Sequence, residues 1–274
     1  LSHVPRRSTI SDANKNRSST VFAEIYQELY RRLAPTLPDS RKWRGYSGKV
    51  LIIDSTTVSL FSSLLKTVGR IPINGKRKGG IKVHTVMDAR EDLPQFICYS
   101  SAAAHDRPYI KGLKPSAGDM LVFDMAYVDY RLFESWTQKG IWFVTRERKK
   151  ATYEVIKALD TDDAIPQLLS DQLIYISIPK TGRTLELRRV EWINPSRPDE
   201  PLVFWTNLKS VAGQMIAELY RQRWQIELLF KRLKQNFPLK YFLGDNVNAI
   251  EIQIWCCLIA HLLYKLILSR TSRK

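Results

Sequence analysis

The sequence predicts a mixed α/β fold, and three observations support this class. Two continuous apolar runs, residues 50–53 and 120–123, consist of strand-forming residues and are typical of buried strands. Apolar side chains recur at helical spacing in residues 21–33, 211–236 and 248–268. A chain of 274 residues with 44% hydrophobic content can also bury a sizeable core.

The other elements follow from the same patterns. Residues 1–20 are polar and basic, and we expect them to be only partly ordered, with Thr20 capping the first helix. Further strands are predicted at residues 81–87, 95–100, 141–145, 173–178, 184–192 and 202–206, and further helices at residues 108–113 and 127–139.

These elements predict four segments along the chain. Residues 1–45 form an N-terminal helical and basic segment, which we interpret as part of a DNA-binding region. Residues 46–150 form the first part of the core, and residues 151–210 form a β-rich insertion. Residues 211–274 supply the C-terminal helices of the core.

The charge of the chain narrows the classes of partner. Lys and Arg number 43 against 27 Asp and Glu, a formal net charge of +16. Nucleic acid is the usual partner of so basic a protein, although a soluble basic protein without such a partner has the same composition. The three cysteines form no CxxC pair, which favours thiols in a reducing compartment over a zinc site.

The apolar residues 250–268 predict a buried helix rather than a membrane span. Glu251, His261 and Lys265 interrupt them, and charged side chains are costly in lipid. We therefore expect no membrane partner. With no signal peptide visible, we expect a cytoplasmic protein.

Two predicted strands each end in an aspartate, Asp54 and Asp124. Ligands bind at the carboxyl ends of parallel strands, so the two carboxylates could converge at one edge of the sheet. The alternative is that each aspartate only begins a turn.

The predicted helix at 211–236 carries a polar stripe. Tyr220, Arg223, Glu227 and Lys234 fall within an arc of about 60° on a continuous helix. A solvated face with helical ion pairs is the alternative interpretation. A helical carboxylate beside two strand-end aspartates suits two divalent cations about 3.5–4 Å apart, which activate the attacking oxygen and stabilise the leaving oxygen in phosphoryl transfer.

The spacing of these four residues is similar to a known signature. In the segment YRQRWQIELLFKRLK it matches the Tyr-Arg-Glu-Lys signature of bacterial insertion-sequence transposases of the IS4-like group. The first strand-end aspartate lies in LIIDST, and the second lies in VFDMAYVDY, where Tyr127 takes the tyrosine position of the group's pattern. The resemblance covers about residues 45–240.

This resemblance implies an RNase H-like fold, with a five-stranded mixed sheet flanked by helices and a β-rich insertion before the glutamate-bearing helix. It implies that Asp54, Asp124 and Glu227 are catalytic and hold two Mg²⁺ or Mn²⁺ ions. The implied reaction is cut-and-paste transposition through a DNA hairpin, performed on double-stranded terminal inverted repeats and target DNA by a homodimer at the bacterial nucleoid. The implied phosphate contacts are Tyr220, Arg223 and Lys234.

Basic clusters elsewhere predict further phosphate contacts, although each cluster alone could be a solvated face. The candidates are Lys76, Arg77, Lys78, Arg146, Lys149 and Lys150. Two rival functions stay open at this point. One is a catalytically incomplete remnant that only binds DNA. The other is a different RNase H-like nuclease, such as a junction resolvase.

Overall fold

The structure is a computed structural model that describes residues 6–37, 46, 48–59, 80–91, 93–101, 104–161, 164–237 and 246–271. The chain divides into two compact units. The core unit comprises Trp43–Asp54 and His105–Gln225, and the terminal unit comprises Leu1–Lys42, Ser55–Ala104 and Ile226–Lys274.

Strands and helices alternate along the described chain. The strands are β1 Val50–Ser59, β2 Gly80–Asp88, β3 Pro94–Ser101, β4 Met120–Phe123, β5 Trp142–Arg146, β6 Glu154–Ala158, β7 Leu168–Ser177, β8 Thr184–Trp192 and β9 Leu202–Thr206. The α-helices are α1 Arg7–Asn16, α2 Ser19–Leu33, α3 Arg107–Ile110, α4 Tyr130–Gln138, α5 Gly213–Arg221, α6 Trp224–Asn236 and α7 Val247–Thr271.

The core unit contains a large mixed sheet. Its strands lie in the order β1-β4-β5-β9-β8-β7-β6. Of β1, only the residues up to Asp54 belong to this unit. The β1–β4 and β4–β5 pairs are parallel, and the pairs from β5 to β6 are antiparallel. The predicted mixed α/β class is therefore confirmed. The sheet has more than the five predicted strands because the strands of the predicted insertion extend it. Strand β9 pairs with β5, and β8, β7 and β6 follow in that order.

Aromatic packing fixes α4 against the parallel strands. Phe133 and Trp136 on α4 contact Phe123 on β4 and Phe143 on β5, and the Phe133 and Phe143 ring centroids are 4.1 Å apart. Burying such side chains contributes about 1.5–3 kcal/mol each, so this cluster holds the strand that leads to Asp124 in a rigid layer.

The terminal unit includes a helical cluster and the antiparallel β2–β3 pair. Trp255 of α7 packs against Tyr26 of α2 and Tyr99 of β3, with ring centroids 5.5 and 6.0 Å apart. The Tyr26 hydroxyl donates to the Pro94 carbonyl at 2.8 Å. By length and composition alone α7 could cross a membrane, and 44% of its most apolar window is buried within the protein.

Several elements differ from the sequence-based expectations. Strand β1 was predicted to end at Asp54, but it continues to Ser59. Residues 7–16 form α1, and the cap of α2 is Ser18, whose side chain accepts from the Thr20 backbone N–H. Strand β6 was missed because all five of its residues are exposed, so it has no buried face to create a period of two. The long helix predicted at 211–236 is interrupted between α5 and α6, because residues 222–223 form a turn.

Candidate active site

Three adjacent parallel strands bring charged residues to one edge of the core-unit sheet. Ile53, Phe123 and Thr145 are aligned across β1, β4 and β5. The residues that follow them are Asp54, Asp124 and Arg146. Neighbouring strands lie about 4.8 Å apart, so two carboxylates and a guanidinium share this edge. All three side chains are partly exposed.

Two residues of the helical signature contact the two aspartates, of which Asp54 lies within β1 and Asp124 directly follows β4. An Arg223 terminal nitrogen donates to Asp54 Oδ2, in an ion pair whose side chains are only 17% and 14% exposed. The Tyr220 hydroxyl lies 3.3 Å from Asp124 Oδ1, which is a long hydrogen bond. The structure therefore brings together four of the predicted site residues in one unit.

Tyr220 is fixed from several sides. Its ring packs against Phe204 of β9 with centroids 4.9 Å apart, and the Arg223 guanidinium lies 5.6 Å from the ring centroid. Burial raises the pKa of the Tyr220 phenol well above its usual value; the Arg223 charge opposes this shift and the Asp124 charge adds to it. The phenol therefore stays protonated at neutral pH and can act as a hydrogen-bond donor.

The turn between α5 and α6 divides the Tyr-Arg-Glu-Lys signature between two helices. The backbone N–H groups of Gln222, Arg223 and Gln225 donate to carbonyls three residues earlier, at 3.0 to 3.1 Å. The four signature residues therefore do not lie on one continuous helix, as the sequence suggested: Tyr220 lies on α5, and Glu227 lies on α6. Arg223 lies in the turn, from which its side chain reaches Asp54.

Glu227 and Lys234 belong to the terminal unit and lie on α6. Glu227 is partly exposed and Lys234 is exposed. Within the described part of the chain, no group of three His, Cys, Asp or Glu side chains forms a metal-binding cluster. The shared action of Glu227 with the two aspartates is therefore a proposal, developed below.

The donor set at the edge of the sheet fits a hard divalent cation. Carboxylate oxygens are the ligands that Mg²⁺ and Mn²⁺ prefer, and Asp54 and Asp124 offer them from neighbouring strands. Both side chains are partly exposed, so substrate and water oxygens can complete the coordination.

The remaining predicted DNA contacts have different surroundings. The charge of Arg146 lowers the pKa of the Tyr220 phenol, so Arg146 lies near the site. Lys149 and Lys150 are exposed in the turn after β5, where Lys150 has a φ of 60°. The cluster Lys76, Arg77 and Lys78 lies outside the described residues.

A buried ion pair behind the site was missed by the sequence reasoning. Arg188 of β8 donates through Nε and Nη2 to the two carboxylate oxygens of Asp171 at 2.8 and 2.5 Å, and both residues are at most 4% exposed. Arg188 Nη1 also donates to the Val211 carbonyl at 2.6 Å. This pair fixes the loop that leads into α5, where a Cβ on Gly213 would lie 2.8 Å from Asp171 Oδ2.

Comparisons with known proteins identify the class. Residues 45–263 match the family model described as "Transposase DDE domain". The putative transposase y4zB of Sinorhizobium fredii is 28% identical over 273 residues, which cover 96% of this chain and 71% of that protein. The putative transposase for insertion sequence element IS4SA of Synechocystis sp. is 29% identical over 272 residues, which cover 95% of this chain and 71% of that protein.

A solved structure, the cryo-EM structure of a piggyBac transposase synaptic complex with hairpin DNA, is 12% identical with a TM-score of 0.41, over 81% of this chain and 50% of that chain. The match of the family model over most of the chain defines a transposase, an enzyme that cuts and joins DNA. The chain belongs to the DDE transposase family, and its relatives place it with the IS4 type. The predicted family is therefore confirmed.

Proposed function

We propose that this transposase performs cut-and-paste transposition of an insertion sequence, with Asp54, Asp124 and Glu227 as its catalytic carboxylates. The observation that carries the proposal is the contact of two signature residues, Tyr220 and Arg223, with Asp124 and Asp54. These four residues come from three separate parts of the chain. A purely structural helix would not need its phenol and guanidinium at the two carboxylates.

The three carboxylates would hold two divalent cations, Mg²⁺ or Mn²⁺. When bound, these ions activate the attacking oxygen and stabilise the leaving oxygen of a phosphodiester. Arg223 and Tyr220 position the carboxylates and can turn to phosphate oxygens when DNA is present. The planar guanidinium of Arg223 suits bidentate phosphate binding, and Lys234 adds a point charge on α6.

The reaction is a series of phosphoryl transfers, each forming one P–O bond and breaking another. Water first attacks a phosphorus at the transposon end, which releases a 3′-hydroxyl. That 3′-oxygen attacks the opposite strand, forms a hairpin and frees the flanking DNA. A second water opens the hairpin, and the 3′-oxygen then attacks target DNA. In each step the attacking water or 3′-hydroxyl loses a proton, and the leaving 3′-oxygen gains one.

A cavity beside Tyr220 supports the hairpin step. Its volume is about 670 Å³, within the usual range of ligand sites, and its lining includes Trp192, Phe204 and Arg221. A tight hairpin forces bases out of the stack, and aromatic faces can receive them. Trp192, which is partly exposed, is the candidate for stacking on such a base.

Further proposals concern the assembly and its location. We infer that a homodimer bridges two double-stranded DNA ends, that residues 1–45 contribute to DNA binding, and that the protein works at the nucleoid in the cytoplasm. The basic candidates Arg146, Lys149 and Lys150 would bind phosphates on the core unit. Lys76, Arg77 and Lys78, which lie outside the described residues, would do the same.

Cleavage of end-containing DNA tests the proposal. The purified chain is incubated with labelled duplex carrying the ends of its own insertion sequence, with Mg²⁺ or with EDTA, on a gel that resolves hairpins. We expect nicks and hairpins with Mg²⁺ and none with EDTA. Binding without cleavage at any metal concentration would indicate a DNA-binding remnant, and cleavage confined to branched DNA would indicate a junction resolvase.

The replacement Arg223→Gln tests the phosphate contact. We expect weaker binding to end DNA and a salt dependence of log affinity that is shallower by about 1, because the variant neutralises one phosphate fewer. Arg197→Gln is the matched control, since Arg197 is 70% exposed and paired with Glu200 in the same unit. An unchanged slope for Arg223→Gln, measured by fluorescence anisotropy across a salt series, would show that Arg223 does not touch phosphate.

A further inference from the structure

A second cleft in the core unit begins directly after Asp124. Its volume is about 690 Å³, and it is lined by Met125 and Ala126 on one side and by Arg107, Pro108 and Lys111 on the other. Arg148, two residues beyond the end of β5, completes the lining with a third cation. The cleft therefore adjoins the candidate active site through the residues that follow its second aspartate.

A buried carboxylate organises two of the three cations. Asp129 is 3% exposed and caps α4 by accepting from the Arg131 backbone N–H at 3.1 Å. Its Oδ2 accepts from Arg107 Nε at 2.9 Å and lies 3.6 Å from Lys111 Nζ. Burial alone would raise the pKa of Asp129, but the hydrogen bond and charge of Arg107 hold it below its usual value. The carboxylate therefore stays charged.

The three cations Arg107, Lys111 and Arg148 outnumber the two carboxylates at the cleft, which are the buried Asp129 and the lining residue Asp106. The Arg107 and Lys111 side chains remain 51% and 58% exposed, so the charge faces the cleft and solvent. Arg107 uses Nε for Asp129, and its guanidinium can offer the two terminal nitrogens end-on to an anion. This arrangement orders two cations at a fixed spacing, whereas surface cations are usually mobile.

The rest of the lining is mixed: the polar side chains of His105 and Asp106 line the cleft beside apolar residues. Met125 is 36% exposed, and Ala126 and Pro108 are also exposed. The apolar members of the lining can contact deoxyribose rings while the cations contact phosphates along a DNA strand. A small free anion would not need these apolar contacts.

We propose that this cleft binds the sugar–phosphate backbone of the DNA strand that passes Asp124, within a few nucleotides of the cleaved phosphate. Arg107, Lys111 and Arg148 contact successive phosphates, and Asp129 is the positioning residue that orients the first two. The inference rests on the proposed function, since it takes the edge of the sheet as the place of cleavage. The contacts give register and affinity but read no base sequence.

The double replacement Arg107→Gln/Lys111→Gln tests this proposal in the full chain. Because the variant neutralises two phosphates fewer, we expect an approximately tenfold loss of affinity for end DNA and a salt slope shallower by about 2. Phosphate-ethylation interference on bound DNA should weaken at the matching positions. Arg197→Gln again supplies the control for loss of surface charge.

A second variant is needed because the double replacement leaves the buried Asp129 without its cations, and this could destabilise the protein. Arg148→Gln removes a cleft cation that has no contact with Asp129, and we expect its salt slope to become shallower by about 1. If the wild type cleaves DNA but both variants keep its salt slope and its ethylation pattern, the proposed role of the cleft is wrong. The proposed function would be unaffected by that result. Failure of the wild type to bind or cut end DNA would overturn both.

Discussion

Replacing any one of the three carboxylates is expected to stop DNA cleavage. Asp54→Asn, Asp124→Asn and Glu227→Gln each keep the shape of the side chain but remove the charge that holds a cation. We expect the rate of Mg²⁺-dependent cleavage to fall by at least about a thousandfold, on the scale of losing one strong stabiliser of a transition state. The rate is measured with labelled end DNA under single-turnover conditions.

DNA binding separates a catalytic loss from an unfolded protein. Each variant should bind end DNA at least as tightly as the wild type without metal, because removing an acidic group weakens repulsion of phosphate. Asp199→Asn is a suitable control, since Asp199 is exposed in the turn before β9. Cleavage at the wild-type rate in any one of the three variants would remove that residue from the catalytic set.

The largest loss of stability is expected for Arg188→Met. The change leaves Asp171 charged and buried without its guanidinium, and it frees the Val211 carbonyl. Breaking a buried pair in this way costs about 3–5 kcal/mol, whereas an exposed pair such as Arg197–Glu200 contributes about 0–1 kcal/mol. Urea denaturation of Arg188→Met and Arg197→Gln measures the difference.

The double variant Arg188→Met/Asp171→Leu separates two causes of that loss, the unpaired charge of Asp171 and the lost hydrogen bond to the Val211 carbonyl. Replacing both partners by apolar side chains removes the unpaired charge, so we expect most of the stability to return. The loop before α5 would still lack its hydrogen bonds from Arg188. Cleavage should therefore stay reduced even where stability recovers. A single variant as stable as the wild type would show that the pair does not hold this region together.

Much of the fold could be predicted from the sequence because buried strands leave a strong pattern. Strand β4 matches its predicted bounds, and β1 starts where predicted, since continuous apolar runs have few alternatives. Helix α1 was missed because its segment is polar, so it has no clear apolar stripe. The turn at residues 222–223 was missed because the helical spacing of apolar residues continues on both sides of it.

Part of the candidate site was predictable for a similar reason. Asp54 and Asp124 end apolar runs, so their place at the edge of the sheet followed from the strands. The pairing of Arg223 with Asp54 depends on the turn after α5, and the pairing of Arg107 and Lys111 with Asp129 depends on α3 lying beside the segment that leads into α4. Contacts of this kind join residues distant in sequence, and a single sequence has no signal for them.

A structure of the protein bound to end DNA and Mn²⁺ tests the central claim most directly, because anomalous scattering locates the metal. The account predicts two Mn²⁺ peaks about 3.5–4 Å apart at the cleaved phosphate, with oxygens of Asp54, Asp124 and Glu227 at ligand distance. Peaks held by other side chains, or a Glu227 carboxylate that contacts neither ion in the DNA complex, would contradict it.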